Sequence, residues 1–515
     1  MAQQDGRYYI TTPIYYVNDR PHVGHAYTSL ACDVLARFMR LDGRQVLFLT
    51  GTDEHGQKVE QSARERGQEP QDYATTISDL FRELAVAMNF STDDFIRTTE
   101  PRHHAAVQAL WRILKDRDQI YLGQYAGWYS VSDEAFYGED ELVERDGQRF
   151  APSGKVVEWV EEPSYFFRLS AWQEPLLKLY EEQPDLIAPA SRRNEVINFV
   201  RGGLKDLSIS RTTYDWGIPV PDDPDHVIYV WFDALINYIT AAGYPDTEGE
   251  TYRTFWPADL HMVGKDILRF HSVYWPAFLM AADLPVPRRV FAHGWWTNEG
   301  QKISKSLGNV IDPFQLIERY GLDPVRYFLL REVPFGQDGD FSHAAMVRRM
   351  NDDLANDLGN LAQRVLSMIA KNCGGQVPEP GPLQPADEAL LGDAAALLDR
   401  LRETFGEQAF HRGLEAVWQV VGDANRYVDA QAPWALRKTD PARMATVLYV
   451  LAESLRRIAL LAQPVMPASA ASLLDQLSVP DERRSFKTFL DPLTPGTEIP
   501  RPSGVFPRFT EAEES

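Results

Sequence analysis

The stretch from Arg7 to Gly43 constrains this chain most. β-favouring residues Tyr8 to Thr12 lead past Pro13 and a turn-prone Asn18-Asp19-Arg20-Pro21 into an amphipathic helix. Leu30, Val34, Phe38 and Leu41 form that helix's apolar stripe, and Gly43 is its stop. A strand feeding a helix N-terminus makes an anion site, because the first backbone N–H groups and the helix dipole both face a bound phosphate. At this junction stands His22-Val23-Gly24-His25. Two imidazoles there can donate to phosphate oxygens, and Gly24 lets a flat base approach the backbone. His22 and His25 are also three apart on a helix, which could equally place two metal ligands on one face.

The rest of the chain continues the same grammar. Gln45 to Leu49 reads as a buried strand ending near Asp53, a helix follows from Gln57, and Phe95 to Thr99 reads as a further short strand. Strand–helix alternation predicts a parallel sheet with ligands at the carboxyl ends of its strands. From about Gln119 to Asp225 the pattern shifts to aromatics, glycines and short alternating runs, a β-rich insertion. Val227 to Phe232 then reads as a strand, Ala234 to Ala242 as a helix, Asp259 to Val263 and Val290 to Trp296 as strands. From Asp323 onward the period is helical. The expected fold is therefore α/β: a Rossmann-type parallel-sheet catalytic domain split by a β-rich insertion, then an all-α helical bundle. The expected boundaries are 1–118, the insertion 119–225, a second catalytic half 226–290, a loop region 291–345 and the bundle 346–515.

A second motif decides between the readings of the first. Gly300-Gln301-Lys302-Ile303-Ser304-Lys305-Ser306-Leu307-Gly308 is a glycine-flanked lysine and serine loop after a hydrophobic run. Alone it would pass for a solvated turn. Paired with HVGH, in this order, it resembles the two signatures of the class I aminoacyl-tRNA synthetase family, and neighbouring residues narrow the match to its methionyl members. That resemblance covers nearly the whole chain. It implies that His22, Gly24, His25, Gly264, Asp266, Lys302, Ser304 and Lys305 bind ATP, with His22, His25, Lys302 and Lys305 catalytic. It implies a methionine pocket of Ile14, Tyr16, Trp231, Ala234, Leu235, Tyr238, Phe270, His271, Tyr274 and Trp275, with Asp53 for the α-ammonium. Asn360, Arg364 and Trp434 match the elements that read the anticodon. The implied partners are L-methionine, ATP with Mg2+, and methionine tRNAs, initiator and elongator.

Two cysteines in 515 residues make a disulfide framework improbable. They also exclude the thiolate zinc site that the cysteinyl relatives require in their core. Family members commonly carry a cysteine-rich zinc knuckle in the insertion. Here Ser130 and Asp133 stand where thiolates would, and residues 119–225 hold neither cysteine nor histidine. No structural zinc is expected, and the module must rest on its aromatics. The leucyl, isoleucyl and valyl relatives need a far longer editing insertion, and an HxGH adenylyltransferase would lack the helical bundle. A catalytically inactive tRNA-binding paralogue remains the alternative from another class. A net charge of −22 argues against sequence-blind nucleic-acid binding. A specific RNA partner would need local cations, with Arg192, Arg193, Arg201, Lys205 and Arg211 as one candidate stretch and Arg348 with Arg349 as another. The absence of a leader or spanning run predicts a cytoplasmic protein with no membrane partner, and the end of the chain after the bundle predicts a monomer.

Overall fold

A computed structural model describes residues 6–133, 135–145, 147–303 and 309–511. The chain divides into two compact units, Met1–Pro21 with Val46–His293, and His22–Gln45 with Gly294–Ser515.

The first unit is built on a parallel sheet. Strand Arg7–Thr11 lies beside Leu260–Gly264, which pairs with Val290–His293, which pairs in turn with the two-residue strand Ile187–Ala188. On the other side of Arg7–Thr11 comes Gln45–Asp53, which also pairs with Tyr15–Tyr16 and with Asp94–Arg97. The central strands are apolar runs without alternation because both faces are buried, as a parallel sheet requires. Gly51 serves close approach: a Cβ there would stand 2.0 Å from the carbonyl oxygen of Ile96 on the neighbouring strand.

The insertion's frame is the antiparallel pair Ile120–Ser130 and Glu158–Phe167, flanked by Ala135–Tyr137 and Leu207–Ser208. Trp128 meets Trp159 edge to face at 5.3 Å, and the Arg149 guanidinium lies 4.5 Å from the Trp128 ring. Where a zinc knuckle would stand, Ser130 Oγ accepts from the Asp133 amide at 3.2 Å. The Asp133 carboxylate accepts from Tyr137 O–H at 3.0 Å and from Ser153 O–H at 2.5 Å. Among the described residues no group of three or more His, Cys, Asp and Glu could hold a metal ion. These side chains do not fit zinc.

Several sequence expectations need correction. Ile187–Ala188, within the stretch assigned to the insertion, is an edge of the parallel sheet. Two residues are too few to leave a strand signature. The expected strand Val227–Phe232 ends at Ile228, pairs antiparallel in a small sheet of its own, and gives way to a helix, Val230–Leu235. Its β-branched and aromatic residues favour a strand locally, and tertiary anchoring overrides them. Val290–Trp296 is two strands, broken at Gly294, where a Cβ would stand 2.3 Å from the Gln337 backbone. Arg211, offered above as a surface cation, is buried against the rings of Tyr129 and Tyr229.

The second unit gathers the long helices Pro385–Gly406, Phe410–Gln431 and Pro441–Ala462, the helix Asn360–Asn372, and a small sheet of Trp296–Asn298, Gln301–Lys302 and Gly339–Phe341. The HVGH helix, Val23–Leu41, belongs here. Its Phe38 packs against Phe405 and Phe486 at 5.1 and 5.0 Å, and its Tyr27 against Trp296 and Phe335. Its Asp33 is fully buried against Arg326. Among the described residues no helix is long and apolar enough to cross a membrane.

Candidate active site

In the first unit, Asp53 ends its strand in register with Tyr16 and is 8% exposed. Its carbonyl accepts from the Val17 amide at 3.1 Å, which fixes the turn beyond Tyr16. A chain of ring contacts joins several of the residues expected to line a methionine pocket. Trp231 stacks on Phe270 at 3.7 Å and 5°, and Phe270 meets Tyr274 edge to face at 5.4 Å. Trp231 also turns its edge toward His271, 6.2 Å away. Tyr238 contacts His271 at 5.7 Å and Trp275 at 6.1 Å. Ile14, Tyr16, Trp231, Phe270 and Tyr274 are half-buried, whereas Ala234, Leu235, Tyr238, His271 and Trp275 are buried. Burial thus divides the expected pocket residues into a half-buried set of five and a buried set of five.

The inner set has a defined protonation pattern. The Ile267 carbonyl can only accept, so His271 carries its proton on Nδ1, at 3.0 Å, and its Nε2 accepts from Tyr238 O–H at 2.7 Å. Burial pushes this imidazole's pKa down to about 4. His261, unforeseen from sequence, repeats the pattern. Trp275 Nε1–H can only donate, so His261 Nε2 accepts it at 3.3 Å and its Nδ1–H donates to Thr11 Oγ1 at 2.8 Å. Burial, and secondarily the neighbouring His271, holds His261 well below the ordinary histidine range. The backing is therefore polar yet uncharged, which suits a neutral, polarisable thioether. Thr11 and His261 lie 250 positions apart, so only the fold brings them together. Asp266 is exposed, and a Cβ added at Gly264 would stand 2.5 Å from its carboxylate. With Lys265, Phe270 and Tyr274 it lines a cavity of about 250 Å³.

In the second unit, His22 and His25 cap the helix reciprocally. His22 Nδ1 accepts from the Gly24 amide and His25 Nδ1 accepts from the His22 amide, each at 3.1 Å, and the ring centroids are 3.9 Å apart. A backbone N–H can only donate, so both neutral rings must carry their protons on Nε2. The motif thereby fixes two Nε2–H donors at a helix N-terminus, the polarity that phosphate requires. Gly24 has a reason beyond ligand approach: a Cβ there would lie 2.9 Å from His22 Cε1. Of the lysine loop, the strand Gln301–Lys302 pairs with Thr297–Asn298. The Lys302 side chain, Ser304 and Lys305 lie outside the described residues.

Farther along the second unit, Asn360 and Arg364 line one cleft with Asn356, Asn425 and Asp429. Arg364 donates to Asp429 at 3.0 Å and to Asn425 at 3.4 Å, holding its guanidinium along the cleft. Asn425 and Asp429 were missed because they come from a separate helix. Trp434 is 50% exposed on the short helix Pro433–Thr439, which follows Ala432 in the left-handed region (φ 43°).

Comparison with known proteins agrees with this geometry. Residues 8–366 match the family of class I tRNA synthetases (M), the class that the parallel sheet and the histidine-capped helix define. Residues 377–515 match the anticodon binding domain of methionyl tRNA ligase. The methionine--tRNA ligase of Brucella suis is 61% identical, the alignment covering 99% of each chain. A structure of Mycobacterium tuberculosis methionyl-tRNA synthetase in complex with methionyl-adenylate superposes with a TM-score of 0.96 at 57% identity, over 98% of this chain and 100% of that one. The free-state structure from the same organism gives 0.91 at 53% identity, over 99% and 100%. The chain belongs to the methionyl-tRNA synthetases.

Proposed function

We propose that the chain condenses L-methionine with ATP to methionyl-adenylate and pyrophosphate, then transfers methionine to the 3'-terminal adenosine of methionine tRNAs, initiator and elongator. The observation that carries the reading is the reciprocal cap at His22 and His25. It preorganises two donors toward an α-phosphate as methionine's carboxylate attacks. MgATP is the substrate. Gly24, Gly264 and Asp266 bind its nucleoside portion, Lys302 and Lys305 neutralise the departing phosphates, and Ser304 also binds ATP. Phosphoryl chemistry of this type needs positioning and charge neutralisation rather than a covalent nucleophile. Asp53 holds the α-ammonium. Ile14, Tyr16, Trp231, Phe270 and Tyr274 enclose the thioether, backed by Ala234, Leu235, Tyr238, His271 and Trp275. The reading is of a cytoplasmic monomer, and two cysteines that form no disulfide fit that compartment.

Asn360, Arg364 and Trp434 read the anticodon, with Trp434 as a stacking plane. Trp434→Ala removes stacking worth about 1–3 kcal/mol per base. Aminoacylation is expected to fall accordingly while methionine-dependent pyrophosphate exchange persists. A parallel loss of both activities would overturn the anticodon assignment. Exchange itself separates this enzyme from an inactive tRNA-binding paralogue, which would show none.

A further inference from the structure

A buried carboxylate lies behind the proposed methionine site and takes no part in the chemistry above. Asp233 is fully buried. Its Oδ2 accepts from His55 Nδ1–H and its Oδ1 from His103 Nε2–H, both at 2.6 Å. His103 Nδ1 lies 3.2 Å from Thr240 Oγ1. We propose that Asp233 is a positioning residue for methionine binding, which through His55 and His103 fixes the placement of Trp231 relative to Asp53. The proposal rests on the reading that Asp53 and Trp231 hold methionine.

Three elements meet on this one carboxylate. His55 follows Asp53 by two residues, in the turn that ends the strand Gln45–Asp53. His103 sits in the first turn of the helix Pro101–Asp116. Asp233 follows Trp231 by two residues on the six-residue helix Val230–Leu235. A turn at Ile236 separates this helix from the next, Asn237–Ala241, and so short a segment gains little orientation from its own hydrogen bonds. Residues two apart on a helix point about 200° apart. Pinning Asp233 inward therefore fixes the rotation that aims Trp231 outward at Phe270. The same bond immobilises the turn after Asp53, which Trp216 grips from the other side. Trp216 Nε1–H donates to the Glu54 carbonyl at 2.6 Å, its own carbonyl accepts from the Gly56 amide at 3.0 Å, and its ring meets His55 edge to face at 5.4 Å.

An apolar residue would fill a core position in this aromatic helix at lower desolvation cost, since buried carboxylates are expensive even when paired. What the carboxylate adds is register, the best-attested use of buried ionic groups. Burial by itself would raise its pKa, yet His55 and His103 outweigh that and hold it well below the usual carboxylate range.

The test is pyrophosphate exchange with methionine and ATP varied separately, together with a count of active sites from the adenylate burst. Asp233→Asn is expected to raise KM for methionine at least about 10-fold, with kcat, KM for ATP and the active-site count within about threefold of the parent. His55→Ala is expected to do the same. His55→Asn, whose side-chain N–H can stand where Nδ1–H stood, recovers most of that loss. A methionine KM within about twofold of the parent in both Asp233→Asn and His55→Ala would overturn the proposal. So would a loss confined to active-site count or melting temperature, which is the signature of a merely structural residue. If Asp233→Asn does not accumulate as folded protein, the His55 pair decides by the same criteria. Asp53→Asn separates the two levels. If it raises the methionine KM while Asp233→Asn does not, the positioning role fails and the site stands; if it leaves that KM unchanged, the site assignment itself fails.

Discussion

Replacing Lys305 by alanine is expected to slow methionyl-adenylate formation at least about 10²-fold while leaving methionine affinity near its starting value. The loop that carries it is flanked by Gly300 and Gly308, which suits closure over phosphates. A lysine that meets its charge mainly as pyrophosphate departs contributes in the transition state and little in the ground state. Its loss therefore lowers kcat and kcat/KM together. Single-turnover quenching of adenylate formation measures this directly. An unchanged rate would remove Lys305 from the machinery.

The largest effect on stability is expected at Asp33, on the HVGH helix. Its carboxylate accepts from Arg326 Nη2–H at 2.6 Å and from Arg37 Nε–H at 2.8 Å, and both Asp33 and Arg326 are fully buried. The Arg326 guanidinium also donates to the carbonyls of Val465 and Pro464, each at 2.8 Å. One arginine thus joins the HVGH helix to the chain between two C-terminal helices. Burial depresses the Arg326 pKa and Asp33 opposes that shift. Asp33→Ala takes from the buried Arg326 cation its hydrogen-bonded carboxylate, a change that typically costs about 3–5 kcal/mol. The midpoint of denaturant unfolding should fall accordingly. The double variant Asp33→Ala with Arg326→Met should be less destabilised than the sum of its parts, because the uncompensated charge is gone. A loss below about 1 kcal/mol in Asp33→Ala would mean that water already reaches this pair.

What was legible in the sequence was local. HVGH, the lysine loop, the alternation of strands with helices and the long helical periods each occupy contiguous residues and carry their own signal. The partners of those elements were not legible. The stripe of Leu30, Val34 and Phe38 announces a buried helix face, but nothing in it says that Phe38 meets Phe405 and Phe486. The hydrogen-bonded group behind the proposed methionine site includes Thr11, His261 and Trp275, residues that look ordinary one at a time. Val227–Phe232 reads as a strand because its composition is β-favouring, yet the chain is helical from Val230 to Leu235, anchored through a carboxylate bound to residues from two other elements. The motif points to His22 and His25 as phosphate ligands. That the His22 ring accepts from the Gly24 amide and the His25 ring from the His22 amide, and so which nitrogens are the donors, needed coordinates.

The central claim, a methionine-activating enzyme whose neutral aromatic pocket selects a thioether, is tested most directly by pyrophosphate exchange with each amino acid supplied alone. Exchange is expected with methionine, at a kcat/KM exceeding that for leucine or isoleucine by at least about 10²-fold, the scale that a close-fitting apolar pocket can reach. Exchange supported equally well by another amino acid, or absent with methionine, would contradict it.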